Sequence, residues 1–146
     1  MGGPMSLRLP ESLAEVIRRH AEAAYPGECC GVLVGGTTGG VKEVTRLIPV
    51  ANQRTDDPHR YLIAAADVRR IERELQGQGL EIVGYYHSHP DHPAVPSAFD
   101  TQHAWPWYSY VIVRVDGGRG AELASWMLDD DQPAMHHESF DVFSEV

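Results

Sequence analysis

Two histidines separated by one residue, a carboxylate after ten intervening residues and a hydroxyl three residues before it are the densest chemistry in the chain. They are His87-Ser88-His89-Pro90, Ser97 and Asp100, within YYHSHPDHPAVPSAFD. Leu80 to His89 is rich in β-forming residues and meets Pro90, which cannot continue a ladder. In a strand, side chains at i and i+2 share a face. His87 and His89 therefore project together at a strand end, where two neutral imidazoles can share one metal ion at about 2.0–2.1 Å. Asp91 to Pro96 holds two further prolines and reads as a loop. Ser97 then starts a helix over Ala98 to Ala104, which returns Asp100 toward the strand end as a third ligand. Two His and one carboxylate leave a fourth tetrahedral position open, the catalytic rather than the structural arrangement of zinc. A water bound there, with its pKa lowered to about 7, is a nucleophile at neutral pH.

Two plainer readings stand beside this one. H-x-H by itself is a weak signal. Ser97-x-x-Asp100 is also a capping box, in which both side chains satisfy helix N-terminal N–H groups. A cap and a ligand role are compatible, because the cap fixes where Asp100 points.

The elements that must position these residues can be read outward from them. Leu9 to Tyr25 carries Leu13, Val16, Ile17, Ala21 and Ala24 at helical spacing, with Pro10 in its first turn and Pro26-Gly27 as a stop. Glu28 to Gly35 (ECCGVLVG) is a buried strand. Gly35 to Gly40 turns the chain, and Val41 to Val50 pairs back as a hairpin. Ala51 to His59 is a polar loop that could cover a site, and Arg60 to Ile63 is a short strand. Ala64 to Gln76 is a second helix, with Val68, Ile71 and Leu75 on one face. After the helix at Asp100 come strands over Ser109 to Val115 and Ala121 to Leu128, and a last edge strand over His137 to Phe143. This order predicts a mixed central sheet with helices packed on it.

Composition bounds the function. The 146 residues make one domain, 1–146, in which residues 1–8 are read as a frayed start or a cloning remnant. No run approaches 18 apolar residues, so no membrane span is expected. The N-terminus lacks the order of a signal peptide, which points to the cytoplasm. The net charge of −9 argues against a nucleic-acid partner. The two cysteines, Cys29 and Cys30, are adjacent and read as small buried strand residues, not as a disulfide or a zinc ribbon.

Glu28 in ECCGVLVG, His87-Ser88-His89-Pro90, Ser97 and Asp100 together resemble the JAMM (JAB1/MPN+/Mov34) zinc metalloprotease motif, and the flanking text is similar to its short bacterial members. The resemblance spans roughly Leu9 to Leu128. It implies a cytidine-deaminase-like α/β sandwich in which His87, His89 and Asp100 bind Zn2+. It also implies that Glu28 is the general base and that Ser97 stabilises the oxyanion. Spacing alone leaves Glu28 an ordinary surface carboxylate.

The expected activity is that of a zinc peptidase or isopeptidase. The partner implied is a ubiquitin-like sulfur-carrier protein, cleaved after its C-terminal Gly-Gly, with the tail extended beside a sheet edge. A peptidoglycan or other peptide endopeptidase of the same motif family is the alternative, as is a zinc-bound module without catalysis. A zinc deaminase would need H-x-E together with P-C-x-x-C, and the adjacent Cys29 and Cys30 cannot supply the second. His92 is a candidate substrate contact and His103 a surface helix position. Trp105, Trp107, Tyr108 and Tyr110 read as packing residues, with Trp105 also a candidate groove wall. Whether the chain forms a homodimer stays open.

Overall fold

Strand β4 (Glu81–Pro90), which carries both histidines, lies in the middle of an eight-stranded mixed sheet. The computed structural model describes residues 5–53, 61–131 and 134–145. In chain order the other elements are β1 (Ser6–Pro10), α1 (Glu11–Ala24), β2 (Cys30–Thr38), β3 (Val41–Val50), α2 (Ala65–Leu75), α3 (Ala98–Gln102), β5 (Ser109–Asp116), β6 (Arg119–Leu128), β7 (Met135–His137) and β8 (Ser139–Phe143). The sheet order is β7-β6-β5-β4-β2-β3-β1-β8. β4 pairs antiparallel with β2 and parallel with β5.

The two faces carry different cores. Ala14, Ile17 and Ala21 of α1 pack on Leu7, Leu9, Leu33, Val83, Tyr86, Val111 and Val113. Ile71 and Leu75 of α2 pack on Val32, Val34 and Ile82, on the opposite face, and Val68 joins them. Ala94, before α3, and Ala104, after it, pack with Tyr110, Ile112 and Trp126. The α/β sandwich expected from the resemblance is therefore the fold observed.

Several boundaries differ from expectation, each for a physical reason. Ser6–Pro10 is not frayed but forms β1, paired on both sides, because Leu7 and Leu9 alternate into the core. Residues 1–4 lie outside the described residues. Val16 falls off the buried stripe of α1 and is 45% exposed. The β2–β3 turn is only Gly39-Gly40, both at positive φ, since Gly35–Thr38 stay paired beyond a bulge at Val34/Gly35. Tyr61–Ile63 form no strand. Most of the 51–59 loop lies outside the described residues, as does Arg60. Pro90 closes β4 within the ladder, opposite Val115, at the position where a missing N–H matters least.

The last edge strand is in fact two strands. β7 pairs with β6 at one edge of the sheet, and β8 pairs parallel with β1 at the other. Only Glu138 separates them, so the sheet must curl until its edges nearly meet.

Candidate metal centre

Asp100 Oδ2 lies 3.2 Å from His87 Nε2 and 3.0 Å from His89 Nε2, and the two nitrogens are 3.2 Å apart. Tetrahedral zinc at about 2.0–2.1 Å from its ligands sets its donors about 3.3 Å apart. The three atoms thus form one face of such a tetrahedron, and the cluster fits a metal ion. All three residues are buried.

Each ligand is oriented by a partner. His89 Nδ1–H donates to the Pro93 carbonyl at 2.9 Å, which leaves the Nε2 lone pair for a metal. The His87 ring stacks on Tyr61 with centroids 4.0 Å apart. The capping box forms: Asp100 N–H donates to Ser97 Oγ at 3.0 Å, and Ser97 N–H donates to Asp100 Oδ2 at 2.9 Å. The capping oxygen is therefore the same atom that faces the imidazoles, so cap and ligand are one arrangement. The proximity of Pro93 and Tyr61 has no signal in the sequence, because a backbone carbonyl and a stacking ring carry no spacing rule.

Electrostatics favour the ligating forms. Burial lowers the His87 pKa against the pull of Asp100, which keeps the imidazole neutral. Burial works to raise the Asp100 pKa, but the contacts with His87 and His89 and the Ser97 N–H outweigh it. The carboxyl is held well below the usual carboxylate range.

Glu28 arrives by strand register. β2 and β4 pair Cys30 with His87. Ser88 N–H donates to the Cys29 carbonyl, and Cys29 N–H donates to Ser88 Oγ at 2.9 Å. Continuing one residue sets Glu28 opposite His89, on the same face as both histidines. Asn52 fixes the strand entry, donating to the Glu28 carbonyl at 3.1 Å while accepting from Leu62 N–H. Glu28 is itself buried, and it lines a cleft with His89, His92, Pro93, Val95 and Ser97. The structure therefore brings together all five residues singled out by the sequence, across 72 positions from Glu28 to Asp100.

The remaining candidates sort by position. His92 lines the same cleft, its ring 6.1 Å from that of His89. His103 is exposed, and its Nδ1 bonds the Phe99 carbonyl at the end of α3. Trp105 is not a packing residue, being 68% exposed, whereas Trp107 packs edge-on against Tyr108 and Tyr110 is buried. Trp105 joins Tyr61, Tyr85 and His103 around a smaller apolar pocket behind the Tyr61 ring. Cys29 and Cys30 are free and buried, and burial pushes their thiols up to about 11 and about 12, so neither serves as a nucleophile. Among the described residues β4 itself is paired on both sides, so it offers no free edge at the ligands. Among the described residues no helix is long and apolar enough to cross a membrane.

Comparison with known proteins places this site in context. The family model described as prokaryotic homologs of the JAB domain matches residues 10–129. A desampylase of Haloferax volcanii is 35% identical over 121 residues, which cover 82% of this chain and 84% of that protein. A probable TtuB-protein conjugate cleaving protease of Thermus thermophilus is 34% identical over 113 residues, covering 77% and 73% respectively. The crystal structure of a JAB1/MPN domain protein from Archaeoglobus fulgidus superposes with a TM-score of 0.59 at 18% identity, over 97% of this chain and 99% of that one. At that identity the likeness is one of fold.

Proposed function

The chain belongs to the family of prokaryotic homologs of the JAB domain, a JAMM-type hydrolase, and from that premise we propose that it is a zinc-dependent isopeptidase acting on a ubiquitin-like carrier protein. The bond cleaved is the one after the carrier's C-terminal Gly-Gly. One observation carries this reading: a buried His-His-Asp donor triangle opens on a cleft lined by Glu28 and Ser97. The two relatives, a desampylase and a conjugate-cleaving protease, support a protein conjugate as the substrate class.

His87, His89 and Asp100 would hold the metal, and a zinc ion there would supply Lewis-acid polarisation of a carbonyl and a water of lowered pKa. The protein's own residues do the rest. Glu28, opposite His89, takes the proton of the attacking water and later gives it to the leaving amine. Ser97 Oγ accepts the Asp100 N–H, which leaves its own proton to donate to the developing oxyanion. The carrier tail crosses the cleft from the loop side, and glycines at its end pass close to the ligands without a side chain to accommodate.

The test is a set of carrier fusions extended past Gly-Gly by cysteine, other amino acids or a peptide. Cleavage should stop with a chelator and return with zinc. Glu28→Gln should lose on the order of 10²–10⁴ in kcat while still binding zinc. A Glu28→Gln enzyme as fast as wild type would overturn the assigned role.

A further inference from the structure

Asp91 sits two residues after the ligand His89, with φ of 56°, a left-handed conformation uncommon outside glycine. Its backbone N–H donates to the Val115 carbonyl at 2.6 Å. Its carboxylate faces two ways. Oδ1 accepts the Gly117 N–H at 2.8 Å, from the β5–β6 turn. Oδ2 accepts the Tyr25 hydroxyl at 2.7 Å, from the connection between α1 and β2. Tyr25 lies three residues before Glu28, and Asp91 lies two before Pro93, whose carbonyl orients His89.

We propose that Asp91 is a positioning residue that clamps the metal-ligand loop to the segment carrying Glu28, so that base and ligands keep one relative geometry. The inference rests on the peptidase reading above. Two chain segments 59 residues apart, Glu28 and His87, reach the cleft from different connections. The β2–β4 ladder joins them below the cleft, but beyond Pro90 the metal loop leaves the sheet. Asp91 is the first residue past that point and ties the loop on three sides. It is solvent-exposed, so it adds no core burial, and its contribution is directional. Without it the Pro93 carbonyl drifts from His89 Nδ1, and the cleft widens between Glu28 and Ser97.

Two substitutions separate this from a general loss of stability. Asp91→Gly keeps the left-handed backbone available and removes both acceptors. Tyr25→Phe removes one hydrogen bond and nothing else. Zinc affinity is read by competition with a chromophoric chelator, which needs no substrate, and kcat and KM are read on a carrier fusion at saturating zinc. The expected result is zinc affinity about tenfold weaker in Asp91→Gly, the lower end of the effect of losing outer-shell support. A fall in kcat with KM unchanged should accompany it. Tyr25→Phe should show a smaller change of the same kind, and the double variant should be no worse than Asp91→Gly alone. Zinc affinity within twofold of wild type in both variants would overturn the clamp, as would losses that add in the double variant. A wild-type protein that binds zinc and cleaves no fusion would instead overturn the peptidase reading, which the chelator measurement detects separately.

Discussion

Ser97 holds two jobs on one oxygen, and they can be separated because they act on different observables. As an N-cap its Oγ accepts the Asp100 N–H. As an oxyanion donor it uses its proton. Ser97→Ala should cost about 0.5–2 kcal/mol of unfolding free energy for the cap. It should cost on the order of 10²–10³ in kcat for the oxyanion contact. A kcat loss below tenfold at saturating zinc would leave Ser97 as a cap alone. The ligands make a second prediction at this scale, through pH. His87 has a folded pKa below its ordinary 6.5, so the fold binds fewer protons there than the unfolded chain does. Its contribution is fully present above 6.5 and is lost as pH falls toward the depressed value. Asp100, also depressed, has the same sign below 3.8. The melting temperature of the metal-free protein should therefore fall steadily on acidification from about pH 7 to about pH 5. A flat profile would contradict a buried neutral His87.

At the scale of elements, β4 works because its neighbours leave it room. A Cβ on Gly84 would stand 2.1 Å from the Ser109 carbonyl oxygen, backbone that cannot swing aside. Gly84→Ala must push β5 away from β4, three residues below His87. It should cost about 1–3 kcal/mol, or more if the parallel pair breaks, read by urea unfolding. A variant of unchanged stability would mean the pair tolerates the shift. The same strand shows what the sequence could convey. H-x-H with β-forming flanks located β4 and the shared face of its ligands, since strand periodicity is local. The capping box located α3 for the same reason. Glu28 was invisible to spacing because its neighbour His89 comes from a ladder register, and only the family motif pointed to it. β1 was hidden by its five-residue length and its direct run into α1 at Pro10. Trp105 misled because aromatic character predicts burial, whereas the loop between α3 and β5 turns it toward solvent.

For the whole molecule, the consequence of the curled sheet is concentrated at one buried joint. Glu138, the single residue between the two edge strands, forms an ion pair with Lys42 Nζ at 3.3 Å, and both side chains are fully buried. Glu138 also accepts the Ser125 hydroxyl at 2.8 Å. Lys42, on β3, donates to the Trp107 carbonyl at 2.6 Å and sits 4.9 Å from that ring's centroid. Trp107 is held at φ of 79°, an unfavourable conformation for a bulky side chain, and the Lys42 bond helps to keep it there. The joint therefore ties β3 to both ends of the sheet and to the loop entering β5, at the end of the strands opposite the histidines. Burial lowers the Lys42 pKa while Glu138 opposes it, the sign of a charge that is tolerated because it is paired. Removing one partner should be far worse than removing both. Lys42→Met leaves a buried carboxylate and should cost about 3–5 kcal/mol, while Lys42→Met with Glu138→Leu should recover most of that loss. Urea unfolding of the four proteins of this cycle gives the coupling directly. A coupling near zero would place the closure in the apolar packing instead. A large one would show that an ion pair remote from the cleft fixes how far the sheet curls, and with it the spacing of β2, β4 and β5 on which the ligand geometry depends.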